Sequence, residues 1–234
     1  MKAIIKIAFF CVAVFKPVHG LNIGYSNILA GQKGNPNKRM KTPDKSGSAE
    51  NENTFKLPAF EDTMQIKFYG PVSEQSCLEL SQVIGYMDTK ARQLKVLHED
   101  YNPKIHLHIQ SSGGSLMPAF YICDLIKNTK TPIYTYVDGY CASAASLISV
   151  CGDKRFMTKH SSILIHQLSS AAAGKYNELK NEVDNLSVFM NAVREIYMEN
   201  TNIDRETLDS LLSTDLWLDS ETCLAYGLAD ELLQ

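Results

Sequence analysis

Apolar and polar residues alternate in two short stretches, which predicts two half-buried strands. The first stretch is residues 64–68, which end before a Gly-Pro pair, and the second is residues 105–109. Side chains alternate between the two faces of a strand, so the second stretch places His106 and His108 together on its less apolar face. This pair is a candidate metal site, but with no third ligand nearby a structural role is the preferred interpretation.

Longer stretches carry apolar residues every three or four positions, the spacing of an amphipathic helix. Residues 77–87, 116–128 and 204–212 have this pattern, and Gly227 is placed to end one more short helix. The longest stripe, in residues 176–198, consists of Tyr176, Leu179, Val183, Leu186, Met190, Val193 and Tyr197. A stripe of that length is typical of a helix that serves a subunit interface as well as a core.

A central stretch carries a candidate nucleophile. Residues 132–137 form an apolar, β-branched and aromatic run, which predicts a buried strand that ends in a turn at residues 138–139. Residues 144–148 are small and apolar and predict a tightly packed helix. Ser143 lies at the junction, where free N–H groups favour developing negative charge. It is a candidate for acyl transfer; the alternative is that it only caps the helix.

Three further features could belong to a cleft with Ser143. Gly113 and Gly114 follow a predicted strand and would let bare backbone N–H groups approach a ligand. His166 ends a predicted strand at residues 162–167, beside a loop rich in glycine and alanine. Asp215 lies between two predicted helices. Taken singly, these features are more typical of a turn, a structural histidine and a helix cap.

The composition is that of a globular protein and narrows the function classes. The chain has 234 residues and a formal net charge of -3, and no basic run is interleaved with aromatic residues. Nucleic acid is therefore not the expected partner. The six cysteines lack CxxC spacing, which favours buried free thiols over disulfides or zinc ligation.

The chain divides into a leader, a polar segment and a folded domain. Residues 1–20 have the basic, apolar and small-residue regions of a signal peptide, and the apolar run is shorter than the roughly 20 residues of a membrane span. Residues 21–62 are polar and structure-poor, and residues 63–234 contain the periodic pattern. The first two parts resemble the two-part address of plastids surrounded by extra membranes, with a mitochondrial or secreted protein as the alternatives.

Four motifs resemble the proteolytic subunit of the Clp protease, a serine peptidase family of the crotonase-like superfamily. Residues 139–145 follow the family's nucleophile motif, residues 111–114 its Ser-Pro-Gly-Gly turn, residues 165–168 its Ile-His-Gln-Pro motif, and residues 226–230 its Tyr-Gly-Leu-x-Asp motif. Their shared order makes the resemblance more specific than any single motif. The matches cover roughly residues 64–233.

The resemblance implies Ser143 as nucleophile, His166 as general base and Asp215 as the group that orients the imidazole. It implies an oxyanion hole formed by the N–H groups of Gly114 and Ala144. The implied fold is a crotonase-like α/β superhelix of ββα units, with the long helix at the ring-to-ring contact. The implied partners are further subunits of a homomeric or mixed double heptameric ring, a hexameric Clp-type ATPase and unfolded protein substrates. No metal or organic cofactor is expected, since ATP is used by the ATPase.

Departures from the family pattern keep other functions open. Ser112 and Leu168 stand where the family has proline, Cys141 replaces alanine, and the segment before residue 64 does not resemble the axial gate, which puts ATPase docking in question. One alternative is a non-catalytic subunit of a mixed ring. The others are a coenzyme A thioester enzyme and a membrane-associated peptidase with lysine as its base.

Overall fold

The computed structural model describes residues 64–98 and 100–233. The predicted leader (1–20) and polar segment (21–62) lie outside them. The strands of this part are β1 Gln65–Tyr69, β2 Ile105–Ser111, β3 Ile133–Ala142, β4 Lys154–Thr158, β5 Ser162–Leu164, β6 Trp217–Leu218 and β7 Glu231–Leu233. Its helices are α1 Glu74–Leu97, α2 Leu116–Asn128, α3 Ala144–Val150, α4 Tyr176–Asn200, α5 Arg205–Leu212 and α6 Ser220–Ala225.

The strands form one mostly parallel sheet with a branch at β3. The main order is β1-β2-β3-β4-β7, and β5 pairs with β3 in parallel and with β6 in antiparallel orientation. The amino-terminal part of β3, from Tyr134 to Val137, pairs with β4, whereas its carboxyl-terminal part, from Tyr140 to Ala142, pairs with β5. The carboxyl end of β3 therefore stays paired with β2 on one side, through Ser111 and Cys141, and exchanges β4 for β5 on the other.

The predicted turn at residues 138–139 is wrong, because β3 continues through these residues to Ala142. Between the pairs Ile109–Val137 and Ser111–Cys141, β3 advances four residues while β2 advances two. The extra residues form a bulge, which bends a strand and increases its twist. Gly139 supplies the positive φ of +88° that this bulge requires. The glycine that looked like a strand terminator thus redirects the strand.

The two ends of α6 follow signals in the sequence. The side chain of Asp219, not Asp215, caps α6 by accepting from the Thr222 N–H at 2.8 Å, so the alternative role of Asp215 as a cap is wrong. Gly227 does end α6 as predicted: its N–H donates to Leu224 O and the Leu228 N–H donates to Cys223 O.

The long helix α4 is buried only near its carboxyl end. Val193 and Tyr197 lie in the core, whereas Tyr176, Val183 and Val188 are exposed. The first half of the predicted apolar stripe thus has no core to cover it within the described part of one chain. Across that same part, no helix combines the length and the apolar character needed to cross a membrane.

Candidate active site

Ser143 occupies a sharp turn between β3 and α3. Its φ of 56° is the one positive value among the non-glycine residues described, a backbone state that costs on the order of 1–3 kcal/mol and is typical of functional sites. The Ser143 N–H donates to Leu164 O at 2.9 Å and continues the β3–β5 ladder. The side chain lies at the N-cap position of α3 but makes no capping hydrogen bond. Capping therefore does not account for this serine.

His166 reaches the same site from β5, which is shorter than predicted and ends at Leu164. The residue after the histidine is fixed by a hydrogen bond from the Gln167 N–H to Leu212 O at 2.7 Å. The His166 side chain is 11% exposed. His166 and Ser143 line one pocket, because β3 and β5 are neighbours and both residues follow the carboxyl ends of their strands.

Asp215 lies near His166 and two residues before β6. The distance from His166 Nδ1 to Asp215 Oδ1 is 3.6 Å, and the aspartate side chain is 85% exposed. The two groups are within ion-pair distance, but their separation exceeds that of a hydrogen bond. The structure thus brings the three predicted residues to the ends of adjacent strands, with the imidazole–carboxylate contact loose.

The two glycines of the predicted turn differ in what surrounds them. A Cβ on Gly113 would lie 2.6 Å from Ala142 O and 2.7 Å from Ser143 Cβ, whereas a Cβ on Gly114 would lie 2.2 Å from Val72 O. The close approach of residue 72 therefore accounts for the glycine at position 114, and the close approach of the nucleophile turn accounts for the glycine at position 113.

The backbone N–H groups near Ser143 differ in whether they already have an acceptor. Gly113 donates its N–H to Ser111 Oγ at 3.1 Å. Gly114 pairs with Val72 through the bonds Val72 N–H to Gly113 O and Ser115 N–H to Val72 O, which do not involve the Gly114 N–H. Ala144 begins α3, so its N–H has no partner within that helix. These geometries leave the Gly114 and Ala144 N–H groups available to an acceptor.

The pocket beside Ser143 is apolar and narrow. Its apolar walls come from the start of α2, from α3 and from the inner side of α4: Leu116, Leu147, Leu186, Phe189, Val193 and Tyr197. The cavity volume is about 30 Å³, more than the roughly 10–15 Å³ that one water molecule needs by the same measure.

The paired histidines contact residues of β3, and Cys141 is buried. His106 Nδ1 lies 2.7 Å from Tyr136 Oη, and His108 Nδ1 lies 2.8 Å from Asp138 Oδ2. These contacts fit the structural role preferred for the pair. Cys141 is buried beneath the nucleophile turn, and this burial raises the pKa of its thiol. Within residues 64–98 and 100–233, no group of three or more potential His, Cys, Asp or Glu ligands could hold a metal.

Two residues at this site were not singled out by the sequence. Ser146 and Tyr197 are both buried, and the Ser146 hydroxyl contacts both the Ser143 carbonyl and the Tyr197 hydroxyl. Their sequence signals were a serine in a small-residue helix and a tyrosine in an apolar stripe. Both are ordinary core patterns, so only the three-dimensional contact identifies them.

Comparisons with known proteins agree with the family that the sequence resembles. The family described as Clp protease matches residues 64–234. The ATP-dependent Clp protease proteolytic subunit 1 of Chlamydia muridarum is 28% identical over 176 residues, 74% of this chain and 87% of that protein. The ATP-dependent Clp protease proteolytic subunit 2 of Treponema pallidum is 28% identical over 196 residues, 82% of this chain and 94% of that protein.

A solved structure supports the fold. A mutant of ClpP1 from Listeria monocytogenes superimposes with a TM-score of 0.63 and 22% sequence identity, covering 75% of this chain and 94% of that chain. Together with the parallel sheet and its covering helices, this likeness confirms the predicted crotonase-like α/β fold.

Proposed function

Since the chain belongs to the Clp protease family, a family of serine peptidases, we propose that it is a serine-type endopeptidase subunit. The observation that carries this proposal is the Ser143 turn: a strained serine, not used as a helix cap, shares a pocket with His166. Strain at a nucleophile between a strand and a helix exposes its hydroxyl to substrate.

In the proposed reaction, Ser143 Oγ attacks the peptide carbonyl while His166 accepts its proton. The imidazolium then protonates the leaving amine, and water releases the acyl group by the same two proton transfers. The oxyanion would accept hydrogen bonds from the Gly114 and Ala144 N–H groups, and the loss of one such donor typically slows acyl transfer by about 10²–10³-fold. Every step uses side chains and amides of this chain.

Asp215 holds His166 less firmly than a carboxylate that is hydrogen-bonded to the imidazole would. At 3.6 Å and with 85% exposure, its carboxylate attracts the imidazolium through solvent and does not lock the ring in one orientation. Catalytic hydrogen bonds are often long without substrate and shorten in the complex. We propose that the His166–Asp215 contact tightens when substrate or a neighbouring subunit covers the aspartate.

The proposed substrates are unfolded proteins, held through apolar side chains at the pocket. Family members assemble into rings with Clp ATPases, and the exposed apolar half of α4 would be buried in such a ring. Val183, 61% exposed, provides a test. Val183→Glu should reduce the assembly measured by analytical ultracentrifugation and leave the circular dichroism spectrum unchanged. Delivery to a plastid remains a prediction from the leader.

Hydrolysis of a fluorogenic peptide with an apolar side chain before the scissile bond tests the activity. We expect Ser143→Ala and His166→Ala each to lose at least about 10³-fold in kcat, whereas Ser149→Ala, another buried serine of α3, should retain full activity. Retained activity in Ser143→Ala would refute the proposal. Full activity in His166→Ala would require another base; in the described part of the chain, no lysine lines this pocket.

A further inference from the structure

A buried chain of hydroxyl groups joins α4 to the nucleophile turn. Ser146 Oγ donates to the Ser143 carbonyl oxygen at 2.6 Å, and Ser146 Oγ lies 2.7 Å from Tyr197 Oη. The Ser146 side chain is fully buried, and Tyr197 is 2% exposed. Water therefore does not compete for these hydrogen bonds.

The direction of each hydrogen bond follows from the available protons. The Ser143 carbonyl can only accept, so the single proton of the Ser146 hydroxyl lies between these two oxygens. The Tyr197 hydroxyl must then donate to Ser146 Oγ. Burial raises the pKa of Tyr197, which keeps the phenol protonated at neutral pH. The chain thus runs from Tyr197 through Ser146 to the Ser143 carbonyl.

The carbonyl at the end of this chain shares a peptide plane with a proposed oxyanion donor. The Ser143 C=O and the Ala144 N–H belong to one trans peptide unit, in which the two bonds point in opposite directions and cannot rotate independently. The Ser143 carbonyl also accepts from the Ser146 N–H at 2.9 Å. Two donors from one residue therefore fix the direction of the Ala144 N–H.

We propose that Ser146 and Tyr197 are positioning residues that aim the Ala144 N–H at the oxyanion of the acyl-transfer transition state. This inference rests on the proposed peptidase function. Neither side chain needs to touch the reacting atoms. Their removal should weaken an interaction that is strongest in the transition state, so it should lower kcat and leave KM unchanged.

The test compares Tyr197→Phe, Ser146→Ala, the double variant and Ser149→Ala in the full-length protein, with hydrolysis of the same fluorogenic peptide. Ser149 is the matched control because its buried hydroxyl, on the same helix, has no hydrogen-bond partner within the described residues. Active sites are titrated with a fluorophosphonate, so that unfolded molecules do not count toward kcat.

We expect Tyr197→Phe and Ser146→Ala each to lower kcat by about 3- to 10-fold, the loss of one or two buried neutral hydrogen bonds. KM should stay within about twofold of the original value. The double variant should be about as slow as Ser146→Ala alone, since both residues act through one carbonyl. Ser149→Ala should match the original protein.

Unchanged kcat in both single variants, with Ser143→Ala inactive, would refute this inference and leave the peptidase function standing. A raised KM with unchanged kcat would also overturn it, because the Tyr197 hydroxyl would then act in substrate binding and not through the Ser143 carbonyl. Activity that survives in Ser143→Ala would instead refute the peptidase function itself.

Discussion

Replacing Gly113 by alanine tests how closely the glycine turn packs on the nucleophile. The added Cβ would lie 2.6 Å from Ala142 O, 2.7 Å from Ser143 Cβ and 3.0 Å from Ala144 N. Two of these neighbours are backbone atoms, so the contact can be relieved only by moving the turn that carries the nucleophile. Gly113 also has a φ of +88°, which disfavours any residue with a side chain.

Gly139→Ala is the control that separates the cost of the positive φ from the cost of the steric contact. The φ of Gly139 is also +88°, but the nearest contact of an added Cβ would be Gln110 Nε2 at 4.0 Å. Both alanine variants should lose about 1–2 kcal/mol of unfolding free energy through the positive φ. Gly113→Ala should lose about 1–3 kcal/mol more through overpacking.

Urea denaturation measures the difference in unfolding free energy between the two variants. The rate of fluorophosphonate labelling per folded molecule measures the reactivity of Ser143. Displacement of reacting groups by 1 Å can cost about 10²-fold in rate. We therefore expect Gly113→Ala to label about 10- to 100-fold more slowly than Gly139→Ala. Equal stability and equal labelling of the two variants would refute the claim that Gly113 shapes the nucleophile turn.

Further predictions concern Asp215, Asp230 and the cysteines. Asp215→Asn should change the unfolding free energy by less than about 1 kcal/mol, because the contact with His166 is 3.6 Å long and the carboxylate is 85% exposed. Since the contact should tighten in the substrate complex, the variant should slow peptide hydrolysis by up to the roughly 10⁴-fold known for a triad aspartate. Steady-state kinetics equal to those of the original protein would contradict this expectation. Burial alone would raise the pKa of Asp230, but the hydrogen bonds from Arg155 outweigh it and hold the pKa below the ordinary 3.8. Urea titrations should therefore show Asp230→Asn to be less stable than the original protein at neutral pH, with the difference fading as the pH falls through the folded pKa. The five cysteines of the described part are buried, and burial raises the pKa of Cys223 to about 12. An aromatic disulfide reagent should therefore react with these thiols only after the protein unfolds. Rapid reaction of the native protein would contradict this, because it would show that a thiol is accessible.

The regular elements and the reacting residues could be predicted from the sequence because their signals are local. Period-two and period-3.6 patterns identified β2 and α4, and each family motif lies within a few consecutive residues. The resemblance could also place Ser143, His166 and Asp215 in one site, although their contact depends on β3, β5 and β6 being neighbours.

The features that sequence reasoning missed depend on long-range contacts. The bulge at Gly139 arises because β3 exchanges β4 for β5 as its partner, and no local pattern distinguishes this from a turn. The Ser146–Tyr197 hydrogen bond joins residues 51 positions apart. The two short strands β6 and β7 form only because a neighbouring strand edge is available to them.

The central claim is that His166 activates Ser143 as a nucleophile. It is tested most directly by treating the purified protein with a fluorophosphonate and locating the adduct by mass spectrometry of peptide fragments. The account predicts an adduct on Ser143, with labelling strongly reduced in His166→Ala. An adduct on a different serine, or undiminished labelling of Ser143 in His166→Ala, would contradict it.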